Sequence, residues 1–139
     1  LKKELTKIPI FGWYLKKIGS ISIDRNKINK ENLFFMDKIK KNYQKNDRPI
    51  VIFPQGTRMD MLDRSNFKKG VTRIYDELQI KCQPVVMNSG SIWPKEGKIF
   101  RNKTLVISIL KSIDPGLESE LFLETLQKNI YNELEGLPN

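Results

Sequence analysis

The chain has 139 residues, 39% of them apolar and 29% charged, which suits one folded domain with a single core and excludes a disordered segment. Its 25 Lys and Arg against 16 Asp and Glu leave a net charge of +9, which fits either an anionic partner, namely nucleic acid, an anionic membrane surface or a phosphorylated substrate, or a merely Lys-rich soluble surface. A lone cysteine, Cys82, excludes an internal disulfide, and the absence of histidine removes the commonest general base from these residues.

In chain order, the first signal is the start itself. Leu1 replaces the usual Met, and Leu1-Lys2-Lys3-Glu4-Leu5 begins part-way through a pattern, so a preceding segment of a longer protein is expected. Ile8-Pro9-Ile10 opens a short helix carrying Ile10, Trp13, Tyr14 and Leu15, with Pro near its first turn and Gly19 just past its end. Its aromatic residues stand beside Lys16 and Lys17, which fits either a face resting on anionic lipid or a helix packed into the core. Ser20 to Ile23 alternates polar and apolar residues, as a strand does. Asn29 to Lys45 has helical spacing at Leu33, Met36, Ile39 and Tyr43. After the break at Asp47-Arg48-Pro49, Ile50 to Phe53 is a short apolar run of the kind found in a parallel strand buried on both faces.

A polar loop from Gln55 to Asn66 comes next. Val71, Ile74, Tyr75 and Leu78 then mark a helix over Lys68 to Leu78. Pro84 to Met87 and Thr104 to Leu110 read as strands, separated by a loop from Asn88 to Gly97. The longest apolar run, Leu105 to Leu110, is far short of the ~20 residues that cross a bilayer. Leu117, Leu121, Leu126, Ile130 and Leu134 mark a C-terminal helix of about five turns. There is no repeat, low-complexity tract or linker, so residues 1–139 read as one domain. Strands alternating with helices argue an α/β fold with a mainly parallel central sheet flanked by helices.

In such a sheet ligands gather beyond the carboxyl ends of the strands. Two strands here end in arginine: Ile21-Ser22-Ile23-Asp24-Arg25 and Ile50-Val51-Ile52-Phe53-Pro54-Gln55-Gly56-Thr57-Arg58. If the two run parallel, Arg25 and Arg58 emerge at one edge, where two guanidinium forks suit a phosphate. Gly56 permits a tight turn and Thr57 adds a hydroxyl. The plainer alternative pairs Arg25 with a carboxylate and leaves Arg58 capping a surface loop. Phe67-Lys68-Lys69-Gly70 just before a helix is either an anion site or a solvated lysine pair. The set has no Walker pattern, no Gly-x-Gly-x-x-Gly, no Cys/His cluster and no Ser/His/Asp set. Cys82, at the entry to a strand, reads as a structural thiol rather than a nucleophile.

Five blocks together resemble the glycerolipid acyltransferases, nearest to the bacterial branch that acylates lysophosphatidic acid. They are Leu1 to Leu5 with Ile8 to Trp13, Gly19 to Arg25, Phe53 to Arg58, Phe67 to Gly70, and Pro84 to Gly90, in the family's order and spacing over nearly the whole chain. The resemblance implies transfer of a fatty acyl group from acyl-CoA or acyl carrier protein to 1-acyl-glycerol-3-phosphate, giving phosphatidic acid, with no bound cofactor and no metal. It also implies a site at a membrane surface, on the cytoplasmic face of a bacterial inner membrane, without nucleic acid as a partner. Other acceptors (glycerol 3-phosphate or another lysolipid) and a non-catalytic phospholipid-binding module are the alternatives.

The family's catalytic pair is a His-x4-Asp motif, placed upstream of the Lys-Glu-Leu block. No histidine is present, so no catalytic residue is expected in this chain, and the dyad is expected upstream of Leu1. Carried over by position, Arg58, Arg25, Thr57, Gly56 and Lys3 would hold the acceptor's phosphate, and Pro84 would head a structural or acyl-lining block. Gln55 stands where the family usually has Glu. It retains hydrogen bonding without the charge, so a loop-holding role is expected there rather than acid–base chemistry.

Overall fold

The computed structural model of the protein describes residues 3–21, 34–45, 48–57, 59, 62–94 and 97–138. They divide into two units, Leu1–Val51 and Ile52–Asn139. In the first, a 3₁₀ helix, Lys3–Lys7, leads to α1, Phe11–Lys17, and then α2, Phe35–Lys45. The join into α1 is tight. Ile10 sits at φ +64, and the Phe11 N–H donates across it to the Pro9 carbonyl at 2.6 Å, as in a γ-turn. Position 12 must be glycine, because a Cβ there would stand 2.1 Å from the Thr6 carbonyl oxygen.

Gly19, at φ +72, follows the end of α1 as the left-handed residue the sequence predicts. The Asn42 side-chain amide on α2 donates to its carbonyl at 2.6 Å and ties the two helices together. Leu15, Met36 and Ile39 are buried, the last two at helical spacing on one face of α2. Trp13 and Tyr14 are 64% and 52% exposed, whereas Gly12 and Leu15 on the same helix are buried.

In the second unit, α3 (Gly70–Leu78) buries Val71, Ile74 and Tyr75, the stripe read from the sequence. β1 (Val85–Met87) is followed by a single turn of helix, α4 (Ser89–Ile92), then β2 (Ile107–Ile109) and the long α5 (Ser119–Gly136). The core joins Phe67, Val71, Tyr75, Ile113, Phe122, Leu126 and Tyr131. Tyr75 and Phe122 stack with centroids 3.7 Å apart, and the Tyr75 hydroxyl donates to the Asp114 carbonyl at 2.5 Å. On α5 the buried positions are Phe122, Leu126 and Tyr131, whereas Leu121, expected in the apolar stripe, is exposed.

The α/β character is as expected, but the sheet described differs from the expected one. Among the described residues it is one antiparallel pair, with Val85 opposite Ile109, Val86 opposite Ser108 and Met87 opposite Ile107. The reason is the connection between the two strands. Parallel neighbours need a crossover that covers a sheet face, usually a helix, whereas the segment from Asn88 to Val106 folds back on itself. The Phe100 N–H donates to Ile92, and the Asn88 N–H donates to Val106 across the start of the strands. Cys82 and Ile113 extend the pairing as an antiparallel bridge.

One expected strand does not form as read among the described residues. Ile50–Phe53 carries no strand pairing, and its side chains alternate. Val51 and Phe53 are 78% and 73% exposed, while Ile50 and Ile52 are half-buried. A four-residue apolar run marks an extended segment but cannot specify what covers each face. The other expected strand, Ser20 to Ile23, lies partly outside the described residues, and residues 22–33, including Arg25, lie wholly outside them.

Candidate functional site

The turn at the end of Ile50–Phe53 is built from its own sequence. Pro54 fixes its φ at a value suited to the second position of a β-turn. The Gly56 N–H donates to the Phe53 carbonyl at 2.9 Å and closes the turn. Gly56 itself takes φ +73, a conformation that favours glycine. The chain then leads to Thr57, which is exposed.

This turn is pinned to the second basic block. The Lys68 N–H donates to the Pro54 carbonyl at 2.9 Å. A Cβ placed on Gly56 would meet the Lys68 side-chain stem at 3.6 Å, so the stem lies against the glycine. Lys68 and Lys69 are exposed at the head of α3, where Lys69 is the N-terminal flanking residue. The Lys69 carbonyl accepts from the Thr72 hydroxyl at 2.7 Å and from the Arg73 N–H at 3.2 Å. Two anion-binding suggestions that the sequence offered separately, Gly56-Thr57 and Lys68-Lys69, are therefore one place in the fold.

Of the other expected phosphate ligands, Arg58 and Arg25 lie outside the described residues, and Lys3 heads the 3₁₀ helix of the first unit. Gln55, expected to hold the loop, is half-buried, and its side chain acts on the Tyr131 phenol. Burial holds that phenol above its ordinary value, with the Gln55 side chain acting in the opposite sense.

The described residues just before the second block are held by short-range bonds. Asp63 Oδ1 accepts from the Ser65 hydroxyl at 2.5 Å and from its N–H at 2.7 Å. Those two bonds, the hydroxyl's first, pull the Asp63 carboxyl below the usual carboxylate value. Sequence reasoning missed the side chains that fix this segment from afar. Gln127 accepts from the Phe67 N–H at 3.1 Å, and the Tyr131 hydroxyl donates to the Ser65 carbonyl at 2.5 Å. The signal available was their spacing: two hydrogen-bonding side chains four apart on a helix are neighbours on one face.

The fifth block is structural at its polar end. Asn88 is buried, its amide donates to the Thr104 and Pro138 carbonyls at 3.1 and 2.9 Å, and its oxygen accepts from Val106 N–H at 2.8 Å. Cys82 is half-buried, and burial pushes its thiol up, away from thiolate chemistry. Among the described residues no three His, Cys, Asp or Glu side chains stand together as a metal site, and no helix is long and apolar enough to cross a membrane.

Comparison with known proteins addresses the family directly. The family model described as Acyltransferase matches residues 1–88. A 1-acyl-sn-glycerol-3-phosphate acyltransferase of Helicobacter pylori is 35% identical over 135 residues, covering 95% of this chain and 56% of the relative. Proteins of the same name from Saccharomyces cerevisiae and Pseudomonas aeruginosa are each 34% identical, over 81% and 70% of the chain and 38% and 37% of their own lengths. The chain thus spans about half or less of the curated relatives it matches. No solved structure matches it. With a family model over most of its length and one relative similar almost end to end, the chain belongs to the acyltransferase family.

Proposed function

We propose that these residues are the C-terminal portion of a single acyltransferase domain that moves a fatty acyl group onto the free hydroxyl of 1-acyl-glycerol-3-phosphate, giving phosphatidic acid. The geometric observation carrying the proposal is the bond from Lys68 N–H to the Pro54 carbonyl, which joins the Gly56-Thr57 turn to the lysines at the head of α3. A glycine-built turn beside cationic side chains suits a phosphate. The relatives' shared name and the net charge of +9 support the same reading, and the family match runs across the boundary between the two units.

In this reading Arg58, Arg25 and Lys3 supply charge to the phosphate, Thr57 and Gly56 shape its cradle, and Lys68 joins them. The acceptor hydroxyl forms its new O–C bond as the donor's thioester C–S bond breaks. Its proton passes to a base, and the departing sulfur leaves as thiolate or thiol. A hydroxyl near its free pKa needs such a base, and these 139 residues hold no histidine, so the His and Asp of the dyad come from outside them. The donor is acyl-CoA or acyl carrier protein, and no cofactor takes part. A parallel central sheet in the whole protein would carry the Ile50–Phe53 segment and cover its exposed side chains.

The enzyme works at a membrane, on the cytoplasmic face of a bacterial inner membrane, with no nucleic acid involved. The exposed Ile10, Trp13 and Tyr14 beside Lys16 and Lys17 support a face lying in an anionic lipid interface, and Lys17 Nζ stands 4.8 Å over the Trp13 ring. The test is an assay of the full-length protein against lysophosphatidate, glycerol 3-phosphate and other lysolipids. Preferred acylation of lysophosphatidate is expected, with no turnover by residues 1–139 alone. Turnover by that piece would refute the assignment of the base, and no turnover of any acceptor by the full-length protein would leave a lipid-binding module.

A further inference from the structure

The family match ends at residue 88, yet the loop bearing Gly56 and Thr57 is held by side chains well beyond it. Gln127, Tyr131 and Glu135 are spaced four apart along α5 and so lie on one face. Each meets the segment from Arg64 to Phe67. Gln127 Oε1 accepts from the Phe67 N–H at 3.1 Å, and its Nε2 donates to Asn66 Oδ1 at 3.3 Å. The Tyr131 hydroxyl donates to the Ser65 carbonyl at 2.5 Å, and the Tyr131 ring lies 5.3 Å from the ring of Phe67. Glu135 is 3.7 Å from Arg64, whose guanidinium also covers the Tyr131 ring at 5.2 Å. The next residue along, Lys68, bonds the Pro54 carbonyl.

We propose that α5 is a splint that fixes the shape of the Pro54–Thr57 turn, with Tyr131 as its main positioning residue and Gln127 as its second. Tyr131 ties the loop to α5 through its O–H, which goes to Ser65. The Gln55 side chain, one residue before Gly56, also acts on this phenol. Tyr131 is also buried in the core, so the loop is anchored to the core of the unit. A turn held this way meets its ligand already ordered. A turn released from Tyr131 must be ordered on binding, which weakens affinity without touching the chemical step. The proposal rests on the reading of that turn as the acceptor-phosphate site.

Tyr131→Phe removes one oxygen and leaves the ring in place. Hydrogen exchange on the full-length protein without acceptor should show residues 53–57 exchanging about fivefold faster, from loss of a bond of ordinary strength. The KM for lysophosphatidate should rise about fivefold with kcat within about twofold. Should Tyr131→Phe fail to fold, Gln127→Leu must give the same pattern more weakly. Unchanged exchange at 53–57, or faster exchange with an unchanged KM, would each overturn the proposal. Exchange is read without acceptor, so if the wild-type protein does not acylate lysophosphatidate, the functional reading falls and the splint is judged on exchange alone.

Discussion

Two short apolar segments of the second unit end in polar residues, and the fold treats them in opposite ways. Pro84 to Met87 runs into Asn88, whose side chain is buried and spends its amide and its oxygen on Thr104, Pro138 and Val106. Ile52-Phe53 runs into Pro54 to Thr57, where the turn is closed by Gly56 and braced from Lys68 and Tyr131, and Thr57 remains exposed. At Asn88 the polar group is used up inside the protein and serves stability. At Gly56 the turn's backbone is held by Phe53 and Lys68 while Thr57 stays exposed, which the proposed function reads as the side that meets the acceptor. A polar residue at the end of an apolar run is therefore no sign of a site until its partners are known.

Substitution should separate the two ends cleanly. Asn88→Ala breaks the bonds joining β1, β2 and the C-terminus, and should lower stability by about 2–3 kcal/mol in denaturant unfolding, with KM for the acceptor unchanged. A raised KM at full stability would erase the contrast. Gly56→Ala should act in the other sense. Its Cβ meets Lys68 only at ordinary contact distance, so the cost is the left-handed backbone, about 1–2 kcal/mol, appearing as weaker acceptor binding together with a modest loss of stability. Unaltered kinetics would mean the turn does not touch the acceptor.

Much of this contrast was legible in local pattern. The helix at Val71, Ile74 and Tyr75, the strand before Asn88 and the left-handed Gly19 follow from periodicity and from glycine's freedom. The bracing was not, because Tyr131 and Ser65 are 66 residues apart and no local period records who meets whom. The sheet's direction was hidden for the same reason: the return of the chain between Asn88 and Val106 depends on long-range bonds. On α5 the stripe was read through Leu121, which is exposed, because a leucine-based count missed Phe122 and Tyr131 as the core-facing positions.

Smaller effects sharpen the account. Lys68→Met keeps the stem against Gly56 and deletes the charge. It should raise KM for a phosphorylated acceptor two- to fivefold, about 0.5–1 kcal/mol for an exposed cation, and leave a neutral acceptor unaffected. Equal effects on both acceptors would remove Lys68 from the phosphate. The alkaline limb of stability tests the buried phenol. Burial holds Tyr131 above 10.0 in the folded protein, so above that pH the unfolded chain ionises first. Its contribution is complete below pH 10 and is lost as pH rises towards the folded value. Wild type should therefore destabilise more steeply above pH 10 than Tyr131→Phe, and identical slopes would contradict the buried assignment. The least effect is expected at Cys82, whose raised thiol pKa should make alkylation at neutral pH slower than for a free thiol.

The central claim is that the Pro54–Thr57 turn, with Arg58 next in sequence, holds the acceptor's phosphate, and the preference for a phosphorylated acceptor tests it most directly. In the full-length enzyme, kcat/KM is compared for lysophosphatidate and for monoacylglycerol, in wild type and in Arg58→Ala. Loss of one charge-assisted contact, about 1.5–3 kcal/mol, should cut the preference for the phosphorylated acceptor by roughly ten- to a hundredfold. A preference that survives Arg58→Ala undiminished would contradict the account.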